Sequence, residues 1–102
     1  MDPSDRFKKS LTNDNLWIYI LSLLKKRDMY PYEINASIKK EFGFTPGNIT
    51  AYIVLKKLKI DGYVTISRRE KNGGPSRTYY SITRKGKNEI TRAKILVKKL
   101  RF

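Results

Sequence analysis

One stretch governs what this chain can become: Leu16-Trp17-Ile18-Tyr19-Ile20-Leu21-Ser22-Leu23-Leu24, apolar except for Ser22, in a chain of 102 residues with a net charge of +14. Leu16, Ile20, Leu23 and Leu24 recur at helical spacing, flanked by Trp17 and Leu21. A helix apolar around most of its girth must be enclosed on more than one side, by the rest of its own chain or by a second subunit. The stretch is far below the roughly 20 residues of a membrane span, so no membrane partner is expected. Thr12 has the chemistry of an N-cap, with Leu11 and Leu16 placed as a hydrophobic staple, and Lys25-Lys26-Arg27 suits a helix C-terminus.

The remaining elements follow in order. Pro31 suits the first position of a second helix carrying Ile34, Ile38 and Phe42 at intervals of four, closed by Gly43. Thr45-Pro46-Gly47 is expected to open a third helix, a capping residue followed by proline in the first turn, running through Tyr52, Leu55 and Leu58 to Asp61-Gly62. Two helices joined by so short a turn form a helix-turn-helix. Next come two strand-like runs, Tyr63–Ser67 and Thr78–Ile82, around the turn residues Asn72-Gly73-Gly74-Pro75. The loop of this hairpin carries Arg68, Arg69, Lys71 and Arg77, a cluster better suited to phosphate contact than to packing. Thr83 caps a last helix whose stripe of Ile90, Ala93, Val97 and Leu100, with Leu96 beside it, must be buried against the first helix or a second copy.

This order defines a mainly α fold with a two-stranded β wing, a winged helix-turn-helix followed by a terminal dimerisation helix. We divide it into a tail or short helix (1–11), a winged helix domain (12–83) and a C-terminal dimerisation helix (84–102). Charge agrees with the wing as a nucleic-acid element: residues 68–102 hold 12 basic and 2 acidic side chains, whereas residues 1–67 hold 11 and 7. The chain has no Cys and no His, which excludes disulfides, Cys/His zinc fingers and His-based catalytic triads. We expect no enzyme, no metal and no cofactor, and the N-terminus lacks the pattern of a signal peptide. A cytoplasmic, nucleoid-associated protein is the expectation.

The residues also resemble a known family, the PadR-like transcriptional regulators. Leu16–Leu24 is similar to that family's first helix and Met29-Tyr30-Pro31-Tyr32-Glu33-Ile34 to the opening of its second. Tyr52–Leu58 with Asp61-Gly62-Tyr63-Val64 resembles its recognition helix and exit. The most specific stretch, Gly73-Gly74-Pro75-Ser76-Arg77-Thr78-Tyr79-Tyr80-Ser81-Ile82-Thr83-Arg84-Lys85-Gly86, is similar to its wing. The resemblance implies a homodimeric DNA-binding regulator, a repressor in kind, of the branch with a single short terminal helix. Two departures stand out: Pro31 replaces a frequent glycine, and Thr45-Pro46-Gly47-Asn48-Ile49-Thr50 is shifted in spacing relative to Tyr52. Base contacts are therefore read from the residues themselves.

In the third helix a step of about 100° per residue puts Ala51, Val54, Leu55 and Leu58 on the core side, with Tyr52 at its edge. The other side carries Ile49, Thr50, Ile53, Lys56 and Lys57, which suit thymine methyls and phosphates or packing under the second helix. Asn48, Thr50, Tyr52 and Lys56 or Lys57 are the candidate groove contacts, and Tyr80, like Tyr52, also suits packing. Arg68, Arg69, Lys71 and Arg77 are the candidate wing contacts, joined by Gly73, Gly74 and Ser76 through the likeness of the wing. For the dimer the candidates are Leu16, Trp17, Ile20, Ile90, Ala93, Leu96, Val97 and Leu100. In the family resembled, aromatics near the dimer seam line a ligand cavity, which makes a small-molecule effector of unspecified chemistry near Trp17 an open option. The partner expected is double-stranded DNA; a sequence-indifferent architectural binder and a protein-interaction module are the rival readings.

Overall fold

The computed structural model describes residues 1–100. Its helices are α1 (Pro3–Ser10), α2 (Leu16–Lys26), α3 (Pro31–Phe42), α4 (Asn48–Ile60) and α5 (Arg84–Lys98), with strands β1 (Val64–Glu70) and β2 (Arg77–Ile82) between the last two. The mainly helical winged fold expected from the sequence is therefore present, and of the terminal segment 84–102 only positions 101 and 102 lie outside the described residues.

The apolar stretch becomes α2, enclosed by its own chain: it touches α3, α4, α5 and β2. Leu16, Ile20, Leu21, Leu23 and Leu24 join Ile34 and Ile38 of α3, Leu55 and Leu58 of α4, Val64, Tyr80 and Ile90 in one core. This corrects the expectation for three interface candidates. Leu16, Ile20 and Ile90 retain 1%, 0% and 3% of their exposure, because the small domain consumes them to complete its own centre and leaves them no area for a second copy.

Two helix starts also move. Thr12 does not cap α2; its hydroxyl donates back to the carbonyls of Lys8 and Lys9, a short 3-10 turn fills Asn13–Asn15, and α2 begins at Leu16. Its proposed staple partner, Leu11, stays about half exposed. Nor is Pro46 the first residue of the third helix: its ring is buried in the turn and α4 starts at Asn48, with Gly47 as the N-cap. A proline favours extended backbone before it, so the segment Phe44–Pro46 crosses the core edge before the helix begins. Gly43 ends α3 in the left-handed conformation, as its position after Phe42 predicts.

The strands pair antiparallel, Val64 opposite Ile82 and Ile66 opposite Tyr80, and then a bulge at Ser67 brings Arg68 opposite Tyr79. Strand β1 thus extends through Arg68 and Arg69, which the sequence pattern assigned to the loop. A bridge absent from the sequence reading pins the wing to the helices: the Met29 N–H donates to the Tyr80 carbonyl (3.2 Å) and the Tyr80 N–H to the Met29 carbonyl (2.8 Å).

The base of the wing is held by Thr83. Its hydroxyl donates to the carbonyls of Gly62 (2.7 Å) and Tyr63 (3.0 Å) and accepts the Gly86 N–H (3.1 Å), capping α5 as the sequence suggests. Gly86 is buried against this turn, where a β-carbon would collide with the Tyr63 carbonyl oxygen and stand 2.7 Å from Ile82 Cγ1.

In an ordinary helix, Gly→Ala stabilises by roughly 0.5–1 kcal/mol. Here Gly86→Ala is expected to do the opposite, lowering stability by about 2 kcal/mol because packed backbone must give way. Thr83→Val should cost about 1 kcal/mol through the lost cap. Urea denaturation of both variants checks the sign and the size.

Candidate nucleic-acid interface

The basic and aromatic side chains of the wing and of α3 and α4 converge on a concave face. Tyr30, Pro31 and Tyr32 at the start of α3, Tyr52 of α4 and Ser76, Arg77 and Thr78 of the wing line one cleft, with Tyr80 at its floor. A second cleft shares Pro31, Tyr32 and Tyr52 and runs on to Asn35, Lys39, Thr45 and Asn48. The helix-turn-helix and the wing are thereby joined in one surface.

The arrangement sorts the α4 candidates into two flanks. Asn48 and Tyr52 lie on the wing side, with Lys56 Nζ 5.5 Å from the Tyr52 ring centroid. Lys57 lies on the other side, where it lines a cleft of about 330 Å³ with Trp17, Leu21, Ile53, Tyr63 and Glu89 between α4, α2 and α5. Thr50 is exposed and falls within about 20° of Lys57 around the helix, so it shares that flank. Asn48 is also engaged, since its Oδ1 accepts the Asn35 Nδ2–H at 2.8 Å.

The wing cations are sorted too. The Arg68 guanidinium lies 3.8 Å from the Tyr79 ring centroid and donates to Glu70 Oε1 at 2.7 Å; that hydrogen bond, foremost, holds it still more firmly protonated. Arg68 therefore packs, against the sequence reading that gave the wing arginines no packing role. Arg77 stands 4.9 Å over Tyr30, which in turn meets Tyr79 edge to face (5.3 Å) and stacks with Tyr32 (6.4 Å). Arg69 and Lys71 are exposed and make no ion pair among the described residues. Arg69 is close enough to Tyr80 to matter electrostatically: burial, with Tyr52 adding to it, pushes the Tyr80 phenol up, and Arg69 opposes the rise. Gly73, Gly74 and Ser76 are exposed in the loop.

Tyr30 and Tyr32 were missed by the sequence reading. Both flank Pro31, and the available signal was an aromatic pair around a helix-opening proline, with Tyr32 left 76% exposed beside the basic wing. At the opposite end, Leu96, Val97 and Leu100 of the interface candidates are largely exposed, Ala93 is half-buried, and Trp17 is partly buried against the core.

Comparison with known proteins places this geometry. The sequence profile of the transcriptional regulator PadR-like family matches residues 20–92. A search of the curated proteins finds none that matches. Among solved structures, the chain is similar to Bacillus subtilis PadR in complex with operator DNA (31% identity, TM-score 0.71), covering 78% of this chain and 46% of that one. It is likewise similar to a PadR family transcription regulator from Clostridium difficile (29%, TM-score 0.68, covering 76% and 81%). A PadR-like transcription factor from Bacteroides fragilis gives 26% identity and a TM-score of 0.76, covering 91% and 89%. With a profile match over most of its length, the basic wing and the helix-turn-helix in one face, this chain belongs to the PadR-like family of transcriptional regulators.

Proposed function

We propose that the protein is a homodimeric regulator that binds specific sites on double-stranded DNA and represses transcription there, working at the nucleoid in the cytoplasm. In this reading α4 enters the major groove, led by Asn48 and Tyr52 with Lys56, while the wing lies on the backbone or in the adjacent minor groove. The observation that carries it is the shared concave face, in which Tyr52 of the reading helix and Ser76 and Arg77 of the wing line one cleft. The operator DNA bound by Bacillus subtilis PadR supports the choice of ligand. Gly73 and Gly74 suit close approach of a phosphate, because no side chain stands between it and the backbone amides. The protein is read as a binder with no catalytic step.

The apolar strip on α5 and just past its end supports the dimer. Leu96, Val97 and Leu100 are each about 60% exposed, beside a cleft that α5 forms with Leu11, Trp17 and Ile18. A second copy that covers this strip doubles the reading surface and demands a pseudo-palindromic site with half-sites about one helical turn apart. The concentration of charge in residues 68–102 gives the architectural reading its support. The ratio of selected-duplex to random-duplex affinity separates the two: about a thousandfold or more for a regulator, near one for a coating protein.

Three outcomes are expected. Arg69→Ala and Lys71→Ala weaken binding to every duplex, each flattening the double-logarithmic salt slope by about 0.9 if one phosphate contact is lost. Arg68→Ala, which removes a side chain already occupied by Glu70 and Tyr79, leaves that slope close to wild type, as titration between low and moderate salt will read. Leu96→Asp converts the dimer to monomer in sedimentation equilibrium and weakens operator binding about tenfold or more, since the two half-sites lose their linkage.

A further inference from the structure

Helix α4 turns an apolar ridge to the outside. Ile49 is 78% exposed and Ile53 is 59% exposed, and a step of about 100° per residue puts both opposite Ala51, Leu55 and Leu58, which hold the helix on the core. Neither isoleucine belongs to the core. They stand in its first half, the part that meets base edges when a helix of this kind enters the major groove.

The rest of α4 narrows what such a ridge reads. The segment Asn48–Ile60 contains no Arg, Gln, Asp or Glu, and its lysines come only from Lys56 onward. Arginine–guanine and glutamine–adenine bidentate contacts are therefore absent from this helix. Asn48, its single amide, is engaged with α3, its Oδ1 accepting the Asn35 Nδ2–H at 2.8 Å, so it is held toward that helix. On the outward ridge itself the leading side chains, Ile49 and Ile53, are hydrocarbon, and the hydrocarbon that DNA displays in the major groove is the C5-methyl of thymine.

Resting on the DNA-binding reading above, we propose that Ile49, with Ile53 behind it, reads thymine methyl groups, so that each half-site is specified by apolar contact at one or two A·T pairs. Burying one methyl against an aliphatic side chain is worth about a fourfold change in affinity.

The test uses the intact protein and the duplex it selects from a random pool, with anisotropy titrations at fixed salt. Replacing thymine by deoxyuridine, one position at a time, removes the methyl and keeps every hydrogen-bonding group. The expected result is a loss of about fourfold at one or two positions per half-site. Ile49→Ala should lose a similar factor on the thymine duplex and little more on the uracil duplex, the non-additivity that marks direct contact. Because Ile49 is exposed, an unchanged melting temperature keeps the variant interpretable. Equal affinity for the thymine and uracil duplexes, with selective binding intact, overturns this assignment and leaves the regulator reading standing. Failure to select any duplex overturns both.

Discussion

The geometry of this protein turns on one small junction, where the Tyr63 carbonyl receives both the backbone N–H (3.1 Å) and the hydroxyl (3.0 Å) of Thr83 while Gly86 packs directly beneath it. Four elements meet there: the end of α4, both strands of the wing, and the start of α5. The Tyr63 N–H is itself bound to the Leu58 carbonyl of α4 at 2.9 Å. Apart from the Thr83 hydroxyl these are backbone polar groups that need a partner on leaving water, so satisfying them also fixes the angle at which the wing leaves α4. A side chain at Gly86 would push α5 away from the turn and tilt the wing with it. Lys85 closes the junction from outside, donating to the Asp61 carbonyl at 2.6 Å with its ammonium 4.5 Å from the Tyr63 ring centroid.

A second constraint acts on the far side of the wing, where Met29 pairs with Tyr80. A two-stranded hairpin alone is marginal in water, and this added edge, together with the core tyrosines, gives it a third support. The bulge at Ser67 then turns Arg68 onto Tyr79, and Tyr79 meets Tyr30, which carries Arg77 and stacks with Tyr32. Positive charge on the wing is thus divided between cations seated on aromatic rings, which stiffen the hairpin, and Arg69 and Lys71, which are exposed and make no ion pair among the described residues. The net charge of the chain says how strongly a polyanion is attracted; the tyrosine ladder determines which cations are held at defined positions when it arrives.

Much of this was legible in the order of residues. Pro31 and Gly43 bound α3, Thr83 caps α5, and the hairpin was expected where it stands, because proline, glycine and threonine act on backbone within a few residues of themselves. Other local signals were outcompeted. Thr12 turned back to the carbonyls of Lys8 and Lys9 in the last turn of α1, and Pro46 was buried in the turn before α4. The tyrosines around Pro31 carried no readable role until β2 arrived beside them from a distant part of the chain.

What the amino-acid sequence determined by itself is the succession of helices and strands and the excess of positive charge toward the C-terminal third, since periodicity, caps and composition are properties of near neighbours. What only the tertiary structure decided is allocation. Leu16, Ile20 and Ile90 were spent on the protomer's own core while Leu96, Val97 and Leu100 stayed outside. Arg68 was tied down while Arg69 makes no ion pair among the described residues, and Lys57 was turned away from the wing while Tyr52 was turned toward it. The reason is physical: apolar stripes and cations of the same kind are equivalent along the chain, and only closure of the core around α2 determines which are covered and which remain for a partner.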